Sequence, residues 1–315
     1  MAKEISTPDG FINTNGITIN ELIGKKVILV DFWTYSCINC QRTTPYLNAW
    51  YEKYKDKGLV IIGVHSPEFG FEKKYDNVKN AVDRNGITYP VVLDNDFSTW
   101  RAYQNSYWPR KYLIDTEGYI RYDHIGEGGY EETEEKIKEL LSEIGNEVSS
   151  IETTQEKKEL FLPRTPELYT GYSFALPRGQ NIGNQIGIQP ESIINYVLPN
   201  EVDKNIIYLE GKWKSNPDNL QLTDQMGSII LKFTGSSVNI VAKNLENPVK
   251  VEVLINGKYI VKEKAGSDIQ FEEDKSFIFV DKPQLYNLIN SNYGNYDLTL
   301  NILNKDFTFN AFTSG

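Results

Sequence analysis

The sequence predicts two folded parts: an α/β domain with a mixed sheet and flanking helices over residues 1–145, and an all-β jelly-roll sandwich over 191–315. A connector over 146–190 joins them. Three observations lead there. Strand and helix signals alternate through the first 145 residues. Helical periodicity almost vanishes after 190, where short alternating apolar runs recur between turn residues. The stretch between is polar, then rich in Pro and Gly.

Each element has a local reason. The stretch 27–32, opening on the apolar run Val27 to Val30, reads as a buried strand. Leu47, Trp50, Tyr51 and Tyr54 share one helical face before Gly58. Residues 59–64 form the next strand. Val78, Ala81 and Val82 mark a helix that stops at Gly86. A short strand at 91–93 and a short helix at 97–103 follow. Residues 111–114 and 119–124 flank Asp115-Thr116-Glu117-Gly118, a hairpin signal. Ile137, Leu140, Leu141 and Ile144 give a last helix. In the connector, 147–159 is charged, and Pro163, Pro166, Pro177 and Pro190 alternate with glycines. Beyond 190, strands are expected at 206–209, 229–233, 238–242, 249–255, 277–280, 296–303 and 307–312, with a turn at Asn256-Gly257.

Composition narrows the function. With 315 residues, 40% of them hydrophobic and 24% charged, the chain is an ordinary globular protein able to bury a core without staples. A formal net charge of −10 gives no broad attraction to nucleic acid, and none is expected as a partner. No stretch reaches the ~18–20 apolar residues of a membrane span, and Met1-Ala2-Lys3-Glu4 opens no apolar signal region.

The chemistry concentrates in Val30-Asp31-Phe32-Trp33-Thr34-Tyr35-Ser36-Cys37-Ile38-Asn39-Cys40, which holds both cysteines of the chain. Two cysteines make no disulfide framework, and a bridge across C-x-x-C closes too small a loop to stabilise much. Reactivity explains the pair better. A strand delivers it to a helix start, where unpaired N–H groups favour a thiolate. Cys37 is then the exposed attacking sulfur. Cys40, one turn further in, resolves the mixed disulfide. The competing reading, half of a zinc site, would have to recruit His65, His124 or carboxylates. Both histidines read instead as polar strand residues.

These residues resemble thioredoxin. The match includes an acid six residues before the first cysteine, Asp31, and a proline five after the second, Pro45. The resemblance implies that Asp31 relays protons to Cys40, which a buried carboxyl of raised pKa suits. It also implies that Trp108-Pro109 carries a cis-proline lining the substrate groove. Trp33 and Trp108, beside that groove, are candidates for contact with substrate or for core. Ile38, Asn39 and Glu68 join them as groove candidates. The helix-bearing insertion between Val64 and Tyr89 is similar to that of the TlpA-like branch. Gly63-Val64-His65-Ser66-Pro67-Glu68-Phe69, Tyr107-Trp108-Pro109, Gly126-Glu127-Gly128 and Arg164-Thr165-Pro166-Glu167 resemble the soluble part of DipZ-type proteins. That part joins a thioredoxin-like domain to a carbohydrate-binding-module-like jelly roll. Thr43 stands where some TlpA-like reductases carry an acid, so no relay role transfers there.

The resemblance implies a thiol–disulfide oxidoreductase, a protein-disulfide reductase acting outside the cytoplasm, in periplasm or at the cell surface, and tethered to a membrane in a fuller protein. Its partners would be disulfide-containing proteins and a membrane electron donor of the CcdA/DsbD type. Its only redox group would be the Cys37–Cys40 disulfide, with no cofactor and no metal. A rival reading makes the β-domain the working part, holding cell-wall glycan or a partner while the dithiol senses redox state. Trp213, Tyr259, Tyr286, Tyr293 and Tyr296 are its candidate aromatics. A peroxidase is a third reading, disfavoured by the C-x-x-C spacing.

Overall fold

The apolar run that precedes the cysteines becomes the interior strand of a six-stranded sheet in a computed structural model of the chain, which describes residues 1–156 and 162–315. The chain divides into two units, Met1–Glu159 and Leu160–Gly315.

In the first unit the strands are β1 (Gly10–Ile12), β2 (Val27–Trp33), β3 (Leu59–His65), β4 (Val91–Leu93), β5 (Arg110–Ile114) and β6 (Ile120–Ile125). The helices are α1 (Ile19–Leu22), α2 (Ile38–Tyr54), α3 (Tyr75–Arg84), α4 (Ser98–Ala102) and α5 (Tyr130–Glu143). The sheet order is β1-β4-β3-β2-β5-β6, parallel between β2, β3 and β4 and antiparallel at its other pairings. Every residue of β2 is buried, because the sheet is covered on both faces. Ile28, Val30 and Phe32 pack with Ile62, Val64, Tyr103 and Tyr112 on one face. By strand alternation Leu29, Asp31 and Trp33 point to the other. Cys37 caps α2 after a three-residue turn, 34–36, that follows the strand. Pro45 inside α2 withholds an N–H from the Gln41 carbonyl. The neighbouring Thr43 and Thr44 hydroxyls donate back to the Asn39 and Cys40 carbonyls at 2.9 and 3.0 Å.

The second unit is strand-rich, as expected, and its strands join into one connected, barrel-like sheet. The long strand Gly227–Asn244 pairs along its length with Gln284–Ile302. Its first half also pairs with Ile207–Ser215 and its second half with Phe307–Ser314. Leu220–Leu222 bridges those two and closes the circuit. Two separate strands were expected where Gly227–Asn244 runs unbroken. The Thr234-Gly235-Ser236-Ser237 segment, which looks like a turn, is a bulge between Gly235 and Ser237.

The expected connector over 146–190 is corrected in part. Leu168–Tyr169 forms a strand on Phe307–Ser314, and Tyr172–Ala175 forms a short helix, both within the second unit. Turn-rich composition hid them, since pairing with a distant strand leaves no local periodicity. Residues 157–161 of that connector lie outside the described residues.

Candidate active site at the start of the second helix

Cys37 has extended backbone (φ −80°, ψ 121°), and its Sγ accepts the Cys40 N–H at 3.3 Å. Its side chain is half-exposed, whereas Cys40 is 2% exposed. The two sulfurs therefore differ in access by one helical turn. Burial pushes the Cys40 thiol well above its ordinary range. Its hydrogen bond and proximity to Cys37 add to this, and the Asp31 charge acts in the same direction.

Asp31 sits on β2 behind the pair, 2% exposed. Burial raises its pKa to about 7, with Lys111 pulling the other way. Its Oδ1 has no hydrogen-bond partner among the described residues. A buried carboxyl left this way can exchange a proton near neutral pH. Gly63 lies opposite Asp31 on β3. A Cβ there would come within 2.9 Å of Trp33 Nε1 and 3.1 Å of the Tyr89 ring, so only glycine leaves this side of the site intact.

Lys111 lies opposite Asp31 on the other side, in the β2–β5 register. It is fully buried, and its ammonium donates to the Gly126 carbonyl at 3.2 Å, 5.7 Å from the Tyr130 ring centroid. Burial lowers its pKa, while Asp31 and Cys40 oppose that. Lys111 was missed by sequence reasoning. Its one signal was a lysine inside a run, Lys111-Tyr112-Leu113-Ile114, expected to be a buried strand.

The Trp108–Pro109 bond is cis, Pro109 is buried at the start of β5, and its carbonyl accepts the Gly126 N–H at 2.8 Å. The Trp108 indole N–H donates to the Ser66 carbonyl at 3.0 Å, and its ring lies 4.4 Å from that of Trp100. From the insertion, Glu72 brings a buried carboxylate to the loop before Cys37. His65 is sealed between Trp33 and Tyr35, its Nε2 3.4 Å from the Thr34 hydroxyl. Burial lowers its pKa to about 3, so it is neutral at physiological pH.

Known proteins resemble this chain in both of its parts. Residues 1–123 match the AhpC/TSA family, and residues 165–315 match a family described as thioredoxin-like C-terminal domain. Protein DipZ of Mycobacterium tuberculosis is 37% identical over 76% of this chain. The chain spans only 34% of that protein, about a third of its length. Thiol-disulfide oxidoreductase YkuV of Bacillus subtilis is 31% identical, and 85% of its length is covered by 40% of this chain. The chain belongs to the thioredoxin-like thiol–disulfide oxidoreductases. A solution structure of an oxidised thioredoxin-like protein is also similar, with a TM-score of 0.40 and 30% identity over 43% of this chain and 90% of that one.

For this thiol–disulfide oxidoreductase the structure brings together Asp31, Cys37 and Cys40 from β2 and the start of α2, and Trp108 and Pro109 immediately precede β5, which pairs with β2. Ile38 and Asn39, half-exposed in the first turn of α2, flank them. Trp33 is a correction to the groove expectation. It is 3% exposed and packs edge-on against His65, because it points into the face that covers the sheet. Glu68, a groove candidate from the insertion, places its backbone N–H 2.6 Å from Glu72 Oε2. Thr43 is buried and 3.1 Å from the Tyr130 hydroxyl. In the second unit Trp213 and Tyr286 are core residues, 0% and 2% exposed, which removes them as glycan platforms. Among the described residues no helix is long and apolar enough to cross a membrane.

Proposed function

We propose that this oxidoreductase is a reductant of protein disulfides outside the cytoplasm. The observation that carries the reading is the asymmetry of the dithiol. A half-exposed Cys37 stands at a helix N-terminus, and a sealed Cys40 of raised pKa stands beside a carboxyl that titrates near 7.

The Cys37 thiolate attacks one sulfur of the substrate disulfide. That bond breaks, a Cys37–substrate disulfide forms, and the first substrate thiolate leaves. The Asp31 carboxylate takes the Cys40 proton. The Cys40 thiolate then attacks Cys37 Sγ, forming the Cys37–Cys40 disulfide and releasing the second substrate thiolate. Two electrons pass from the dithiol to the substrate, and no cofactor enters. Pro109, with Trp108, Ile38 and Asn39 around it, aligns the partner chain.

The oxidised pair is returned to dithiol by a membrane electron donor of the CcdA/DsbD type. The location rests on the DipZ-like architecture and on chemistry, since stable protein disulfides accumulate in oxidising compartments. The β-domain serves as a structural or protein-docking part, with cell-wall glycan as the rival ligand. Tyr293, 42% exposed, is the most open of its aromatic candidates.

Insulin reduction tests the core of the reading. Cys37→Ser should lose at least about a thousandfold in rate, because the attacking thiolate is gone; wild-type turnover in that variant would sink it. Titration of Trp fluorescence against a thiol buffer gives the direction. A potential near about −270 mV or below fits a reductant, and one near about −120 mV an oxidant.

A further inference from the structure

Glu72 is 0% exposed, and none of the steps above uses it. Its two oxygens serve different loops. Oε1 accepts the Ser36 N–H at 3.2 Å and the Ser36 hydroxyl at 2.6 Å, at the residue immediately before Cys37. Oε2 accepts the N–H groups of Glu68 and Phe69, at 2.6 and 2.8 Å, in the insertion after β3. The Thr34 hydroxyl hydrogen-bonds to it as well. A carboxylate withdrawn from water is costly unless donors surround it. Here the donors come from the two segments whose relative position sets the entry to α2.

That entry is also held by the Tyr35 ring, which packs on His65 and Phe71, and by the Thr34 hydroxyl, 3.4 Å from His65 Nε2. The Cys37 N–H reaches the Thr34 carbonyl at 3.4 Å. Gln41 Nε2 holds the Tyr35 carbonyl at 2.9 Å. Ser36 lies between these two and is gripped by Glu72. The peptide that leads into the N-cap is therefore tied to a residue 36 positions away in sequence.

We propose that Glu72 is a positioning residue for the attacking cysteine. It ties the insertion to the Thr34–Ser36 turn, so that Cys37 Sγ stays over the first turn of α2, where it accepts the Cys40 N–H and faces incoming disulfides. The inference rests on Cys37 being the attacker. Its chemical content is alignment. Attack on a disulfide needs the sulfur in line with the breaking bond, and a displacement of about 1 Å can cost ~10²-fold.

The test uses the full chain and the small aromatic disulfide 5,5′-dithiobis(2-nitrobenzoate) in stopped flow. Attack by Cys37 breaks its S–S bond, forms a mixed disulfide and releases one coloured thiolate. Resolution by Cys40 forms the Cys37–Cys40 bond and releases a second. Glu72→Gln keeps the shape but replaces one acceptor oxygen by an amide NH₂, which cannot accept from either loop. Ser36→Ala removes one donor and leaves the carboxylate. In Glu72→Gln the first phase should slow about tenfold, and in Ser36→Ala about threefold, with the second phase within about twofold of wild type in both. The double variant should be no slower than Glu72→Gln, since both act on one contact. A wild-type first phase in both variants overturns the proposal, as does equal slowing of the two phases. Should Glu72→Gln fail to fold, a wild-type first phase in Ser36→Ala alone overturns it. A Cys37→Ser protein that still gives the first phase at the wild-type rate would instead overturn the assignment of the attacker, whatever Glu72 does.

Discussion

The two units solve the problem of buried polarity in opposite ways. Around the dithiol the first unit buries groups that can ionise: Asp31, His65, Glu72 and Lys111, beside Cys40. Among the described residues the second unit buries amides and hydroxyls, such as Asn184, Asn239, Asn310 and Thr313, with Asp306 as its one buried carboxylate. Amides satisfy one another without charge. Asn239 donates to Thr313 at 3.2 Å and accepts from Asn287 at 2.7 Å. Ionisable groups in the same setting move their pKa values and make stability depend on pH. The contrast teaches where this protein tolerates such a cost. It does so in the first unit, around the cysteines and also at Asp94 and Glu134, and far less in the β framework.

Asp31→Asn should break that pattern most visibly. The folded pKa of Asp31 is raised from 3.8 to about 7. The unfolded chain therefore ionises first, and wild-type stability is lost as pH rises through this window. Asparagine cannot ionise, so the variant should be more stable at pH 8 by up to about 4 kcal/mol, with the gain shrinking toward pH 4. Urea unfolding at both pH values measures it. Resolution by Cys40 should slow about 10²-fold at pH 7 in the same variant. A variant with wild-type pH dependence would mean that Asp31 is not the buried acid described here.

His65→Phe probes the opposite limb. The folded pKa of His65 is lowered from 6.5 to about 3, so wild-type stability is lost as pH falls below 6.5. Between pH 7 and 5 the wild type should lose about 2 kcal/mol through this group. The phenylalanine variant, which keeps a ring between Trp33 and Tyr35, should not. Thermal unfolding across that range gives the answer, and parallel curves would remove His65 from the pH response.

Asn239→Leu sharpens the comparison from the other side, with the smallest effect. Asn287 and Thr313 lose a partner, which should cost about 1–3 kcal/mol. The cost should stay flat between pH 4 and 8, and insulin reduction should remain within about twofold of wild type. A pH-dependent loss, or a large fall in turnover, would erase the distinction between the units.

How much of this was legible before folding varies by residue. Cys37, Cys40 and Asp31 lie within ten residues of one another, and strand-to-helix patterning alone sets their spacing. Pro109 was legible as part of Trp108-Pro109, from its resemblance to a known motif. Lys111 and Glu72 were not, since neither is near the cysteines in sequence. One arrives through the β2–β5 register and the other through an insertion whose carboxylate could equally have been Glu68. Trp33 is open between groove and core in the sequence, because a tryptophan beside a reactive cysteine suits either. Only the cover on both faces of β2 decides. In the second unit, Gly235 and Ser236 look like a turn and are a bulge, because the partner strand Gln284–Ile302 continues past them.

The sequence by itself determined the dithiol: a buried strand, a C-x-x-C at a helix start and an acid behind it follow from periodicity and spacing over a few turns of chain. Tertiary structure alone decided the electrostatics around it. Whether Asp31 titrates near 4 or near 7, whether Lys111 faces it, and which carboxylate grips Ser36 depend on water being excluded by segments 30 to 80 residues away. Exclusion of water is a property of packing, and no local pattern encodes it.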